Sequence, residues 1–262
     1  MSMKLNIISS DLFVKYSHEV DDHVQANFEM LDDSELSIKT FSFYTSVSAV
    51  FSSKIEGEDI EMDSYVKHKR FGAHFLPDHT RKIDDLYEAY IFAQGHKLNH
   101  KNLLHAHGIL TRHILQKAQQ GTLRKGNMFV ITGDGKIEYV AASPDIVPAE
   151  IKELLKDIST LLKAGLSFKE VLFYAAMIHL VFVKIHPFED GNGRTARLVE
   201  KWFISEKLGP KAWFIQSEKN YYNNHQLYYT NIRKMGLEYD TLDYSQALPF
   251  LLMLPPSVAS QE

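Results

Sequence analysis

His186-Pro187-Phe188-Glu189-Asp190-Gly191-Asn192-Gly193-Arg194-Thr195-Ala196-Arg197 is the stretch on which the reading of this chain turns. It follows the segment Val171 to Ile185, in which 13 of 15 residues are apolar and only His179 and Lys184 interrupt. Ser167 and Glu170 have capping-box spacing ahead of that run, so a helix should begin there. Pro187 disfavours helical geometry at the residue before it, so the helix should stop at His186. A histidine at the end of a rigid buried element has its ring placed by packing, as a catalytic group requires. The run is too short and too polar for a membrane span and reads as a core helix.

After the histidine, Gly191-Asn192-Gly193 permits positive φ and an exposed string of backbone N–H groups, a concavity that suits an anion. Helical character resumes at Arg194, so the loop delivers those groups to a helix N-terminus, where the dipole also favours negative charge. Arg194 and Arg197 are three residues apart and share one helix face. Two guanidiniums beside such a cradle suit a polyphosphate. Asp190 is a hard carboxylate at its edge, of the kind that holds Mg²⁺. From the residues alone this is a phosphate site with a histidine beside it. Each piece also has a plainer reading: the glycines as a turn between helices, His186 as a helix cap, the arginines as ion-paired surface residues. A Walker-type loop is excluded, because no GK[ST] follows a glycine-rich turn. An EF-hand loop is excluded for lack of acidic residues at alternate positions after Asp190.

Outward from this stretch the pattern is mostly helical. Ile83, Leu86, Tyr87, Tyr90 and Ile91 form one stripe behind a candidate N-cap, Thr80. Leu103, Leu110 and Ile114 suggest a second helix. Ile151, Leu154, Leu155, Ile158 and Leu162 form another stripe, with Pro148 near its first turn. Met128-Phe129-Val130-Ile131 and Ile137-Glu138-Tyr139-Val140 flank a turn with an Asp-Gly pair and read as a β-hairpin. An isolated hairpin is marginal alone, so something must lean on it. The whole chain has 262 residues, no cysteine and a net charge of −4. It is long enough to bury a core without disulfides or structural zinc. Thiol nucleophiles and cysteine-ligated metals are excluded. The charge balance argues against a dedicated nucleic-acid binder or a polybasic membrane binder. The first ten residues lack a secretory pattern, so a cytoplasmic protein is expected.

The twelve-residue stretch resembles the signature of Fic domains, HPFx[D/E]GNGRxxR, at every specified position. His179 and Ile185 in the preceding helix are similar too. The broader likeness runs from about Thr80 to Phe250 and includes the hairpin. It implies a mainly α, Fic-type helical domain with one β-hairpin flap. It implies a protein adenylyltransferase that moves AMP from ATP to a Ser, Thr or Tyr hydroxyl of a target protein and releases pyrophosphate. On this resemblance His186 is the general base, Asp190 holds Mg²⁺, and Gly191, Asn192 and Gly193 form the anion hole. Arg194 and Arg197 meet the β- and γ-phosphates. Met128, Phe129, Val130 and Ile131 dock the target by strand addition. Asn231 is placed on the adenine side by a weaker likeness.

Ser52-Ser53-Lys54-Ile55-Glu56-Gly57 resembles the Fic inhibitory motif [S/T]xxxE[G/N], here upstream of the signature. Phe43, Val47, Phe51 and Ile55 form an apolar ridge, so an amphipathic helix over about 40–57 is expected. Gly57 is a natural residue just past its end. Glu56 then sits where the helix dipole disfavours a carboxylate and gains from a cationic partner. A solvated surface glutamate is the plainer reading; with the signature present, pairing of Glu56 with Arg197 in the space of the γ-phosphate is expected. The expected organisation is an N-terminal region 1–78 with this helix, a catalytic domain 79–254, and a loose tail 255–262. Expected partners are ATP, a target protein and the chain itself as a substrate, without nucleic acid or membrane; a homo-oligomer is left open. Two other functions fit the same residues: removal of AMP from a modified protein, and a non-catalytic nucleotide-binding regulatory module.

Overall fold

The computed structural model describes residues 4–39, 41–74, 80–131 and 137–258. Within them lie twelve α-helices. They are α1 (Phe13–Glu19), α2 (Val24–Met30), α3 (Phe43–Ile55), α4 (Met62–Phe71), α5 (Arg81–Gln94), α6 (His100–Leu110), α7 (Val147–Lys163), α8 (Phe168–Ile185), α9 (Asn192–Leu208), α10 (Ser217–Asn223), α11 (His225–Arg233) and α12 (Leu248–Leu251). Strands β1 (Phe129–Ile131) and β2 (Ile137–Val140) pair antiparallel, with Val130 opposite Tyr139 and a register shift between Val130 and Ile131. The turn expected between them, 132–136, lies outside the described residues.

Helix α8 is the central element, and its start follows from its capping box. The Ser167 side chain accepts from Glu170 N, and the Glu170 carboxylate accepts from Ser167 N at 2.7 Å. Apolar on all sides, α8 is enclosed by α9, α7, α1 and α12. Apolar residues at a helical spacing do not settle which face is packed, because a central helix buries them all. One core cluster runs through the described chain and joins Tyr16 and Val50 with Ile151, Phe182 and Trp202. The segment before α1 is fastened to α7, where the Asp157 carboxylate accepts from the backbone N–H groups of Asn6 (2.8 Å), Ile7 (2.8 Å) and Ile8 (3.0 Å). The expected boundary at 78/79 falls outside the described residues.

Several local expectations are changed by packing. Ile83, Leu86, Tyr87 and Tyr90 are buried on α5, but Ile91 is 43% exposed. Thr80 precedes α5 without a side-chain capping bond. Helix α6 ends at Leu110, short of Ile114, with the Thr111 hydroxyl turned back to His107 O. The expected loose end after Leu254 is corrected as far as Val258: a short 3₁₀ turn buries Pro255 and Val258, and Gln216 N donates to Ser257 O. Prolines that cannot continue a helix can still pack as apolar surface. No helix among the described residues is long and apolar enough to cross a membrane.

Candidate active site

Helix α8 stops at His186, the one non-glycine with positive φ among the described residues (φ 53°). Such a conformation costs about 1–3 kcal/mol unless its surroundings impose it. Arg124 is the group that does so. Its backbone N donates to Pro187 O, its Nε to His186 O at 2.7 Å, its Nη1 to Gly126 O at 2.7 Å, and its Nη2 to Ala142 O and Ile185 O. The buried guanidinium therefore ties the end of α8 to both roots of the hairpin. A cation there also complements the C-terminal end of the α8 dipole. His186 Nδ1 lies 3.1 Å from Val183 O. A carbonyl can only accept, so Nδ1 carries the proton and Nε2 is left as an acceptor. Burial pushes the His186 pKa below 6.5; the Val183 contact opposes this and the Arg124 charge adds to it. The imidazole is therefore held neutral.

The loop after it is braced from both sides. Asn192 Oδ1 accepts from Phe188 N at 2.8 Å, and its Nδ2 donates to Phe188 O at 2.8 Å. The Asn192 side chain thus holds the loop, and only its backbone N–H is offered to an anion. Gly191 begins α9 at φ 77°, and a Cβ there would lie 2.8 Å from Thr111 Cγ2. The first N–H groups of α9 have no intrahelical acceptor, so they form a donor set. From below, His107 Nδ1 accepts from Gly121 N at 2.9 Å, and its Nε2 faces Asp190 O at 3.0 Å. Its ring stacks on Phe188 with centroids 3.6 Å apart. Burial pushes His107 down to about 4, so it stays neutral. Sequence reasoning missed both His107 and the clamp made by Arg124; their partners lie 83 and 62 positions away.

Arg197 is fully buried. Its Nε donates to Ser52 Oγ at 2.8 Å, and Nη2 to Ser52 O at 3.0 Å and to Glu56 Oε1 at 2.6 Å. The Glu56 side chain is 26% exposed against 0% for Arg197. Burial opposes the Glu56 charge, and Arg197 and Arg194 outweigh it, holding the carboxyl below the usual range. Glu56 caps α3, and Gly57 N and Glu58 N return to Lys54 O and Ser53 O, a Schellman ending. The carboxylate is thus at an unfavourable dipole end of α3 but against the favourable N-terminus of α9: a Cβ on Gly193 would stand 2.5 Å from Glu56 Oε1. The apolar ridge expected to pack α3 is only part of the contact. Phe43 and Phe51 are half-buried, whereas Ser48 and Ser52 are buried against Lys201 and Arg197, one turn apart on α9. Arg194 is held more loosely, with Nη2 3.8 Å from Glu58 Oε1, Nη1 4.0 Å from Asp190 Oδ1, and a buried Nε without a hydrogen-bond partner among the described residues.

His186, Glu56, Gly193 and Arg197 face one cavity of ≈ 280 Å³, together with Met128, Phe129 and Val130 of the hairpin. The side chain of Ile131 lies outside the described residues. Tyr139 braces β2 by donating from its hydroxyl to Lys184 O at 2.5 Å, and Val140 N donates to Leu237 O at 2.8 Å. Phe129 remains 46% exposed at the cavity rim. Asn231, expected on the adenine side, is not among the residues that line this cavity. Its side chain is buried and bonded to Pro249 O at 3.1 Å, away from the cavity. The α11 residues that line the cavity are Tyr228, Tyr229, Ile232 and Arg233. A larger, open concavity of ≈ 870 Å³ beside α6 contains none of the signature residues. Asp190 is 55% exposed, and its Oδ1 accepts from Gly191 N. Among the described residues no group of three metal-ligating side chains converges. One accessible carboxylate beside an anion cradle fits an Mg²⁺ that takes its other ligands from phosphates and water.

The Fic/DOC family is matched over residues 97–204, less than half of the chain. A Fic family protein from Desulfovibrio desulfuricans G20 superimposes with a TM-score of 0.73 at 19% identity, covering 97% of this chain and 74% of that one. A Fic domain containing signaling protein from Bacteroides thetaiotaomicron gives 0.64 at 19% identity, covering 94% and 91%. Fic-1 from C. elegans gives 0.65 at 15% identity, covering 94% and 68%. A curated protein of Ostreid herpesvirus 1 (isolate France), named ribonucleoside-diphosphate reductase small chain, is 32% identical over 110 residues. That match covers 40% of this chain but only 19% of the viral protein. The superpositions give this chain a mainly helical Fic fold with a two-stranded antiparallel sheet, and the Fic/DOC family match falls on residues 97–204 within it.

Proposed function

We propose that this chain is a self-inhibited protein adenylyltransferase, transferring AMP from ATP to a hydroxyl of a target protein. The observation that carries the reading is the shared cavity: a neutral histidine with a free Nε2 opens onto the same space as a helix N-terminus and a buried arginine. In the reaction, the target oxygen bonds to the α-phosphorus as the bond to the bridging oxygen breaks, and pyrophosphate leaves. His186 Nε2 takes the hydroxyl proton. The N–H groups at the start of α9, with Arg194 and Arg197, stabilise charge on the departing phosphates. Asp190 would hold Mg²⁺, which supplies further charge neutralisation there. The hairpin edge from Met128 to Ile131 would align the target segment by main-chain pairing.

Glu56 supplies the inhibition. It occupies Arg197 and lies against Gly193, where a terminal phosphate would have to sit. A nucleotide bound beside it is displaced from the line of attack. The second reading, removal of AMP, is favoured by one fact: the partly exposed Glu56 carboxylate faces the same cavity as His186, where it can orient a water. The test is incubation with labelled ATP and Mg²⁺, wild type beside Glu56→Gly, followed by gels of self-labelling and lysate labelling. Label that appears with Glu56→Gly supports transfer. Loss of label from a pre-modified protein with wild type alone supports removal. Neither change would overturn the assignment.

A further inference from the structure

Arg197 is linked to a second carboxylate that the reaction scheme above does not use. Its Nη1 lies 3.3 Å from the Tyr228 hydroxyl, which lies 2.9 Å from His179 Nε2. His179 Nδ1 lies 2.7 Å from Glu200 Oε2, which also accepts from the Tyr221 hydroxyl at 2.8 Å. Arg197, Tyr228, His179, Glu200 and Tyr221 are all buried. One proton arrangement satisfies the chain with a neutral imidazole. Arginine can only donate, so Tyr228 accepts from it and gives its own proton to His179 Nε2; Nδ1–H then points at the carboxylate. Every bond runs in the same direction, from cation to anion, so each polarises the next.

The two carboxylates differ in one respect. Glu56 is partly exposed and faces the cavity, whereas Glu200 is enclosed and cannot leave. A buried guanidinium that exchanges its visible partner needs compensation throughout, since an unpaired buried charge is strongly unfavourable. We propose that Glu200, acting through His179 and Tyr228, is the fixed counter-ion that positions Arg197 for a terminal phosphate, while Glu56 is the exchangeable one. Glu200, His179 and Tyr228 are positioning residues in this scheme. It rests on the cavity being a nucleoside triphosphate site.

The test uses the Glu56→Gly chain as background and compares binding of ATP and ADP by titration calorimetry. Tyr228→Phe removes one oxygen and keeps the ring against His179, Tyr221 and Phe250. The expected result is about tenfold weaker ATP binding, the scale of a lost hydrogen bond to a charged group, with ADP changed less than about twofold. Glu200→Gln should show the same selective loss. His179→Gln, which retains one donor and one acceptor, should keep ATP binding within about twofold of the background. Equal weakening of both nucleotides, or of neither, in variants that melt as the background does would overturn the positioning role. So would retained ATP preference in Glu200→Gln if Tyr228→Phe does not fold. If the background binds neither nucleotide, the triphosphate reading itself fails and takes this scheme with it.

Discussion

Replacing Glu56 by glycine should lower stability and raise activity together, a combination that a plain structural glutamate cannot give. The pair is short, 2.6 Å, and Arg197 is fully enclosed. Breaking a fully buried pair by removing one partner costs about 3–5 kcal/mol. Here the carboxylate is 26% exposed, and Arg197 keeps its bonds to Ser52 Oγ, Ser52 O and the Tyr228 hydroxyl. Water and these acceptors reduce the loss to about 1–2 kcal/mol. For a chain of this length that is a fall in Tm of about 2–8 °C. Activity should move the other way. Freed Arg197 and the cleared face of Gly193 let the triphosphate sit in line, and misplacement at a reacting centre can cost about 10²-fold. The assay is the initial rate of labelling from ATP with Mg²⁺ for wild type, Glu56→Gly, Arg197→Ala and the double variant, with thermal melts of each. The double variant should lose most of the gain, since the freed arginine is gone. A Glu56→Gly rate no higher than wild type, in folded protein, would refute the inhibitory role.

Three further outcomes are expected. His186→Ala should lower transfer by about 10²- to 10⁴-fold while ATP binding persists; the acid limb of the wild-type pH–rate profile should have its midpoint below 6.5, because burial and Arg124 keep the imidazole neutral. A midpoint above 6.5 in single-turnover measurements would contradict that environment. Val130→Pro, opposite Tyr139 in the hairpin, should reduce labelling of a protein target with little change in ATP affinity; equal target labelling by a folded variant would refute docking at this edge. His107, neutral in the fold down to about pH 4, should cost stability in acid. The unfolded chain takes up that proton first as pH falls below 6.5, so the contribution grows to about 3 kcal/mol by pH 4. His107→Asn should flatten the dependence of Tm on pH over that range, and an unchanged slope would show that the ring is protonated in the fold.

Much of the site was readable because its parts are local. The capping box of Ser167 and Glu170, the stop at His186 and the positive φ of Gly191 all depend on residues within four positions of each other. Backbone geometry there is dictated by neighbours in the chain, so a twelve-residue pattern carries it. Helix existence was equally legible, but helix facing was not. On α11 one position changes the direction of a side chain by about 100°. That is why Asn231 meets Pro249 while Tyr228 and Ile232, four apart, share the cavity face. Sequence periodicity gives the stripe and leaves its partner open.

What the sequence by itself determined is a histidine at a helix end and a glycine turn into the next helix, inside a chain of helices with one hairpin. What only the tertiary structure decided is which distant groups complete it. Glu56 and Arg197 are 141 positions apart, and their pair exists because Ser48 and Ser52 of α3 are held against Lys201 and Arg197 of α9. Arg124 fixes the histidine from 62 positions away, and His107 fixes Asp190 from 83. The reason is physical. Turns and caps are satisfied by groups a few bonds along the chain, whereas a buried charge is satisfied by whatever the packed core brings to it.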